Sequence, residues 1–297
     1  MLRPGSRVAV VAPSGPVPRE RFLAGAARLR DRYSLIYSER LFQQTGFLAG
    51  SDPERLTELQ QALSDPSVDA VWCARGGYGL MRILPALDLA AFARQPKLII
   101  GFSDVTALHA WAALRNLPTV HGPVITHLAD LPEEDITALV ALIEGQVPSV
   151  QLAGLTPLVS GWATGRLIGG NLELVTRLLG TPYSFDPKGA VLLLEEVGER
   201  PYRVDRQLSQ LALAGWWNAL VGIVAGDFFQ CGDDKTRPSI EEVLAERLGR
   251  LTIPILTGAP IGHARRNRAV PLGAAVELDA DRGTLSATVP WAKLLAS

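Results

Sequence analysis

The chain has 297 residues, 47% of them hydrophobic, with 29 Lys and Arg against 30 Asp and Glu, a formal charge of −1. That balance excludes a disordered chain, which combines low hydrophobicity with high net charge, and shows no basic excess for nucleic acid or an acidic membrane. The cysteines, Cys73 and Cys231, have no zinc spacing and cannot staple a scaffold of this length, so a reducing compartment is expected.

The amino terminus lacks the long apolar region and cleavage site of a signal peptide, and a cytoplasmic location is the expectation. Arg7 to Ala12 is a continuous apolar strand closed by Pro13-Ser14-Gly15-Pro16. Arg19 to Asp31 carries Phe22, Leu23, Ala26 and Leu29 at helical spacing. Glu54 to Ser64 predicts a second helix, introduced by Ser51-Asp52-Pro53 with its capping serine and early proline. Ala70 to Ala74 is a strand running into Arg75-Gly76-Gly77-Tyr78-Gly79, and Lys97 to Phe102 is another running into Ser103-Asp104. Thr106 to Arg115 continues as helix. Short apolar strands alternating with helices predict a parallel sheet covered on both faces. Ligands bind at the carboxyl ends of such strands.

From Glu144 to Thr164 no period is sustained, and a linker is expected over 148–162, between a domain at 1–147 and a second at 163–297. The second half reads as helix Leu172 to Leu179, strand Val191 to Glu195, helix Val204 to Leu213, strand Leu220 to Ala225 and helix Ser239 to Leu248. Its tail, with Ile255 to Gly258, Ala275 to Leu278 and Thr284 to Val289, is β-like. Gln207 to Gly226 is uncharged over about 20 residues, nominally a membrane span. Its polar residues and glycines make it a helix end followed by a buried strand instead.

Three features carry chemistry. Ser103 at a strand-to-helix turn has the setting of a nucleophile elbow, although Val105 stands where the second glycine of G-x-S-x-G belongs. Spacing alone favours a plainer role for it, as the cap of the next helix. A base would come from His109, His121, His127 or His263. His109 is on a helix, His127 has no clear role, and residue type and loop position leave His121 and His263 equal. Glu195 and Glu196 end an apolar strand, one pointing inward and the other outward. The Gly76-Gly77 turn can present backbone N–H groups to an anion. No dinucleotide, Walker A or metal-binding pattern is present, so no cofactor and no metal are expected.

Taken in order, these blocks resemble the LD-carboxypeptidase family, serine peptidases that trim the terminal D-alanine from murein tetrapeptides and that include microcin C immunity hydrolases. The resemblance runs through Val11-Ala12-Pro13-Ser14, Arg75 to Gly79, Gly101-Phe102-Ser103-Asp104 and His121-Gly122-Pro123. It continues through Gly165 to Leu172, Leu194 to Glu199, Pro201 to Arg206, and Gly262-His263. It implies a flavodoxin-like parallel-sheet N-terminal α/β domain carrying the nucleophile and a smaller swivelling β/α C-terminal domain carrying the acid and base, with the site between them. It implies a Ser103–Glu195–His263 triad, an oxyanion hole from the N–H groups of Gly77 and Asp104, and a homodimer. The Gly76-Gly77 turn or Arg166 is the expected anchor for the substrate carboxylate, and Asn171 a further binding residue. The partner is a small peptide, with neither nucleic acid nor membrane involved. Two alternatives stand beside it: a microcin-immunity-type hydrolase of aminoacyl-nucleotide conjugates, which the lack of an insertion disfavours, and a catalytically silent murein-peptide binding protein.

Overall fold

Val8 to Val11 are all buried, as are all four residues of Ala70–Cys73 and of Leu98–Gly101. Strands without an exposed face need cover on both sides, and helices supply it here. The computed structural model describes residues 1–232 and 236–291. They divide into two units. One contains Met1–Val147, Arg268–Val270, Pro290 and Trp291; the other contains the described residues of Pro148–Asn267 and Pro271–Val289.

In chain order the elements up to Val147 are β1 (Arg7–Val11), α1 (Arg19–Ala27), β2 (Ser34–Ile36), α2 (Asp52–Ser64), β3 (Ala70–Cys73), α3 (Leu80–Ile83) and α4 (Leu89–Arg94). There follow β4 (Leu98–Gly101), α5 (Thr106–Ala113), β5 (Thr119–His121), α6 (Ile125–Leu128) and α7 (Glu133–Ile143). After Val147 come β6 (Ser149–Leu152), β7 (Thr156–Val159), β8 (Trp162–Asn171), α8 (Leu172–Arg177), β9 (Ala190–Val197), α9 (Pro201–Leu213) and β10 (Gly222–Phe229). The chain ends with α10 (Ile240–Leu248), β11 (Ile255–Thr257), β12 (Val270–Leu272), β13 (Ala275–Asp279) and β14 (Thr284–Thr288).

The first sheet runs β12-β5-β4-β3-β1-β2. Its β5 to β2 pairings are all parallel. The order 2-1-3-4-5 is that of doubly wound, flavodoxin-like folds, whose switch point lies between β1 and β3. Trp72, Trp111 and Phe22 fill its core. Trp72 resolves its one polar atom by donating Nε1–H to the Pro123 carbonyl at 2.8 Å. The expected start of α2 is present as a reciprocal capping box between Ser51 and Glu54.

The second sheet runs β6-β14-β13-β8-β9-β10-β11-β7. Its centre, β8 to β11, is parallel, and antiparallel strands flank it. The span 148–162, expected as a linker, therefore forms β6 and β7 and the start of β8. Alternation there is short and interrupted by Gly154 and Gly161, both at positive φ, so no local period announces two edge strands. The expected span 163–297 is likewise not continuous, because Arg268–Val270 belongs to the first unit. The uncharged Gln207–Gly226 run is split between α9 and β10. Among the described residues no helix is long and apolar enough to cross a membrane.

Candidate active site

In the first unit, three loops at the carboxyl ends of β1, β3 and β4 meet. Gly15 N–H donates to the Gly76 carbonyl at 3.0 Å. The Asp104 carboxylate accepts from Ser14 Oγ at 2.6 Å and from Leu80 N–H at 2.9 Å, joining all three loops through one buried side chain. Burial raises the Asp104 pKa against these two hydrogen bonds, which pull it down. Arg55, fully buried on α2, donates to the Pro13 and Gly79 carbonyls and pairs with Asp52.

Ser103 sits on this platform with φ +66°, in the left-handed region that non-glycine residues seldom occupy. It is not the cap of a helix: the capping position of the following 3-10 turn is Phe102, and that of α5 is Val105. Such strain costs about 1–3 kcal/mol and persists only where the surroundings enforce it. Gly76 leaves the room that this conformation needs. A Cβ there would lie 2.8 Å from Ser103 Cβ and 3.0 Å from its Oγ. Gly77 takes φ +110° against Gly15.

In the second unit, Glu195 is fully buried near the end of β9. Its Oε2 lies 2.7 Å from His263 Nδ1. Facing a carboxylate, Nδ1 carries the proton and donates it, which leaves Nε2 with a lone pair. Burial works against a charged imidazole, but the carboxylates of Glu195, Glu196 and Asp227 outweigh it and the His263 pKa is raised. Glu196 accepts from Asn171 Nδ2 at 2.9 Å, Val197 N–H at 2.9 Å and Glu173 N–H at 2.8 Å. Burial nevertheless pushes its pKa up to about 7. The two glutamates thus do alternate, but neither faces solvent, since the sheet is covered on both sides where they lie.

The structure separates the four histidines. His109 is buried, bonds to the Gly101 carbonyl at 2.9 Å and has its pKa lowered to about 3 by burial and by His121. His121 ends β5 with no exposed surface, its ring centroid 5.9 Å from that of Phe102 in an edge-on arrangement. His127 stacks on Phe102 at 5.3 Å. Of the four, His263 pairs with a buried carboxylate at 2.7 Å.

Asn171 is in register with Glu195, but its side chain is committed to capping α8 at Leu174 N–H and to Glu196. Arg166 is not brought there. It pairs with Ala190, five positions along the same ladder from the Asn171–Glu195 pair, a distance of about 16 Å at strand rise. Arg55 and Asp227 were missed by sequence reasoning. Asp227 carried a usable signal, an acid at the carboxyl end of an apolar strand like Glu195; Arg55 carried none, because it lies on an ordinary helix.

Comparison with known proteins completes the picture. Residues 8–122 match the LD-carboxypeptidase N-terminal domain and residues 164–278 the LD-carboxypeptidase C-terminal domain. A Streptomyces coelicolor relative is 43% identical over 97% of this chain and 95% of its own. The murein tetrapeptide carboxypeptidase of Pseudomonas aeruginosa is 33% identical over 93% of this chain and 94% of its own. Among solved structures, the muramoyltetrapeptide carboxypeptidase of Oxalobacter formigenes superposes with TM-score 0.84 at 28% identity, covering 95% of this chain and 98% of that one. MccF in complex with glutamyl sulfamoyl guanosine superposes with TM-score 0.86 at 25% identity, covering 97% of each. Fold and relatives define a serine-type carboxypeptidase hydrolase. The chain belongs to the LD-carboxypeptidase family, and its activity is that of a carboxypeptidase of this family or of an MccF-like hydrolase.

Proposed function

We propose that this enzyme removes the C-terminal D-alanine from murein tetrapeptides, with Ser103 as nucleophile, His263 as base and Glu195 as the acid that orients it. The observation that carries the proposal is the 2.7 Å contact between His263 Nδ1 and the buried Glu195 Oε2, which places the ring proton on Nδ1 and the basic lone pair on Nε2. In the reaction His263 removes the Ser103 Oγ proton as Oγ attacks the carbonyl before the terminal residue. Glu195 stabilises the imidazolium, which then protonates the leaving amine of D-alanine. Water, activated by the same base, hydrolyses the acyl-enzyme. Backbone N–H groups of Gly77 and Asp104 serve the developing oxyanion, each worth about 3 kcal/mol of barrier. The Gly76-Gly77 turn is the remaining anchor for the terminal carboxylate. The tripeptide product suits peptidoglycan recycling in the cytoplasm, and a homodimer is the proposed assembly.

The test is incubation with L-Ala-γ-D-Glu-meso-diaminopimelate-D-Ala and detection of D-alanine by mass spectrometry, with Ser103→Ala alongside. Release by the wild type alone supports the reading. A folded protein that leaves the peptide intact but cleaves an aminoacyl-sulfamoyl nucleoside would instead be an MccF-like hydrolase, an alternative in keeping with the similar superposition on MccF. Cleavage of neither would support a binding protein.

A further inference from the structure

His263 lies between two residues that are both held by Asp227. The Asp227 N–H donates to the Ile261 carbonyl at 2.8 Å, two residues before the histidine. The Asp227 carboxylate accepts from the N–H of Ala264, the residue after it. Between them Gly262 takes φ +136°, so close to both strands that a Cβ there would stand 3.1 Å from Asp227 Cβ and 3.1 Å from Glu195 Oε2. Gly226 leaves no more room, since a Cβ on it would be 2.2 Å from the Ile261 carbonyl oxygen. Asn267 closes the loop by accepting from Gly262 N–H at 3.3 Å. The second Asp227 carboxylate oxygen is buried and accepts no hydrogen bond from the described residues.

We propose that Asp227 is a positioning residue for the base: it clamps the 261–264 loop on both sides of His263, and its carboxylate supports the imidazolium formed when the serine proton is taken. This rests on the reading of His263 as the base. The clamp fixes the backbone at Ile261 and Ala264, while Glu195 fixes the ring. Together they leave the imidazole little freedom to turn, which a general base needs if Nε2 is to meet its proton at hydrogen-bond distance. The charges acting on His263 are Glu195 and Glu196 from β9 and Asp227 from β10. The imidazolium in turn draws the Asp227 pKa down, although burial first, and Glu195 as well, hold it up at about 6.

Four proteins test this on the tetrapeptide: wild type, Asp227→Ala, Asp227→Asn and His263→Ala, each with a thermal melt and a kcat/KM profile against pH. His263→Ala should abolish turnover; if it does not, the reading of the base fails, whatever Asp227 does. With that control inactive, Asp227→Ala should lower kcat about 30- to 100-fold with KM within about twofold of wild type, the scale of a misplaced catalytic group. Asp227→Asn keeps an acceptor for Ala264 N–H but no charge. It should recover most of kcat and move the acid limb of the profile to lower pH. Wild-type kcat in Asp227→Ala would overturn the clamp. A loss that Asp227→Asn does not recover, with the acid limb unmoved, would also overturn it, since that is the mark of a merely structural residue. Should Asp227→Ala not fold, the acid limb of Asp227→Asn decides alone.

Discussion

A side-chain carbon on Gly76 would stand 2.8 Å from Ser103 Cβ and 3.0 Å from Ser103 Oγ. The first is closer than Cβ atoms approach in folded proteins and the second is tighter than most such contacts, and the obstruction is on the proposed nucleophile itself. Gly76→Ala is therefore expected to displace Ser103 and lower kcat at least about 100-fold, the cost of a misplacement on the order of 1 Å. Steady-state kinetics with a circular dichroism spectrum checks that the fold survives the change.

The strained backbone at Ser103 predicts a difference between two inactive variants. Ser103→Ala keeps a Cβ in the left-handed region at φ +66°, whereas Ser103→Gly does not. Neither should turn over substrate. The glycine variant should be the more stable by about 1 kcal/mol, the lower end of the left-handed penalty for L-residues. Urea unfolding of both proteins measures it, and equal midpoints would mean that the conformation is not strained.

Arg55 joins the loops after β1 and β3 from a fully buried position, with the Pro13 and Gly79 carbonyls and Asp52 as partners. Arg55→Ala removes the donors and leaves the carbonyls without them. The expected loss is about 1–3 kcal/mol, the cost of leaving buried carbonyls unsatisfied, since Asp52 keeps Arg82 as a partner. Because the same loops carry Gly76 and Gly77, activity should fall at temperatures where the protein is still folded. Urea titration and an activity profile against temperature separate the two effects.

The raised His263 pKa has opposite consequences for activity and stability. A base must be unprotonated, so kcat/KM should fall on acidification with an apparent pKa above the ordinary histidine value of about 6.5. For stability, a group whose folded pKa is raised contributes fully below its unfolded pKa and loses that contribution as pH rises through the folded one. Glu196, raised to about 7 from an ordinary value near 4.5, has the same sign. Its contribution is complete below about 4.5 and is lost as pH approaches 7. Melting temperature should thus decline from pH 5 to pH 8 while activity rises. Glu196→Gln should flatten the lower part of the melting curve and, because Glu196 is one of the carboxylates that raise the His263 pKa, move the acid limb of activity to lower pH.

How much was legible follows from what each residue's neighbours in sequence can report. Val8 to Val11, Ala70 to Cys73 and Leu98 to Gly101 announce themselves, because a strand buried on both faces needs an unbroken apolar run. Ser51 and Glu54 announce α2, because a capping box is a local device. By contrast β6, β7 and β12 lie at or near sheet edges, are three or four residues long, and owe their existence to partners far along the chain. The choice between His121 and His263 was not legible either. Both are loop-like histidines beside glycine, and what separates them is burial under Phe102 in one case and a carboxylate 68 residues away in the other.

The sequence by itself determined the class of the first unit and the strand ends at which chemistry gathers, and through the family resemblance it nominated Ser103, Glu195 and His263 for the proposed triad. Tertiary structure alone decided that Glu195 holds the imidazole while Glu196 bonds Asn171 and the Glu173 N–H at the start of α8, that Arg166 lies about five strand positions away from them, and that Asp104, Arg55 and Asp227 fasten loops. The reason is physical: burial pattern and turn chemistry act between near neighbours in the chain, whereas the partner of a buried charge is chosen by packing between segments that the sequence lists far apart.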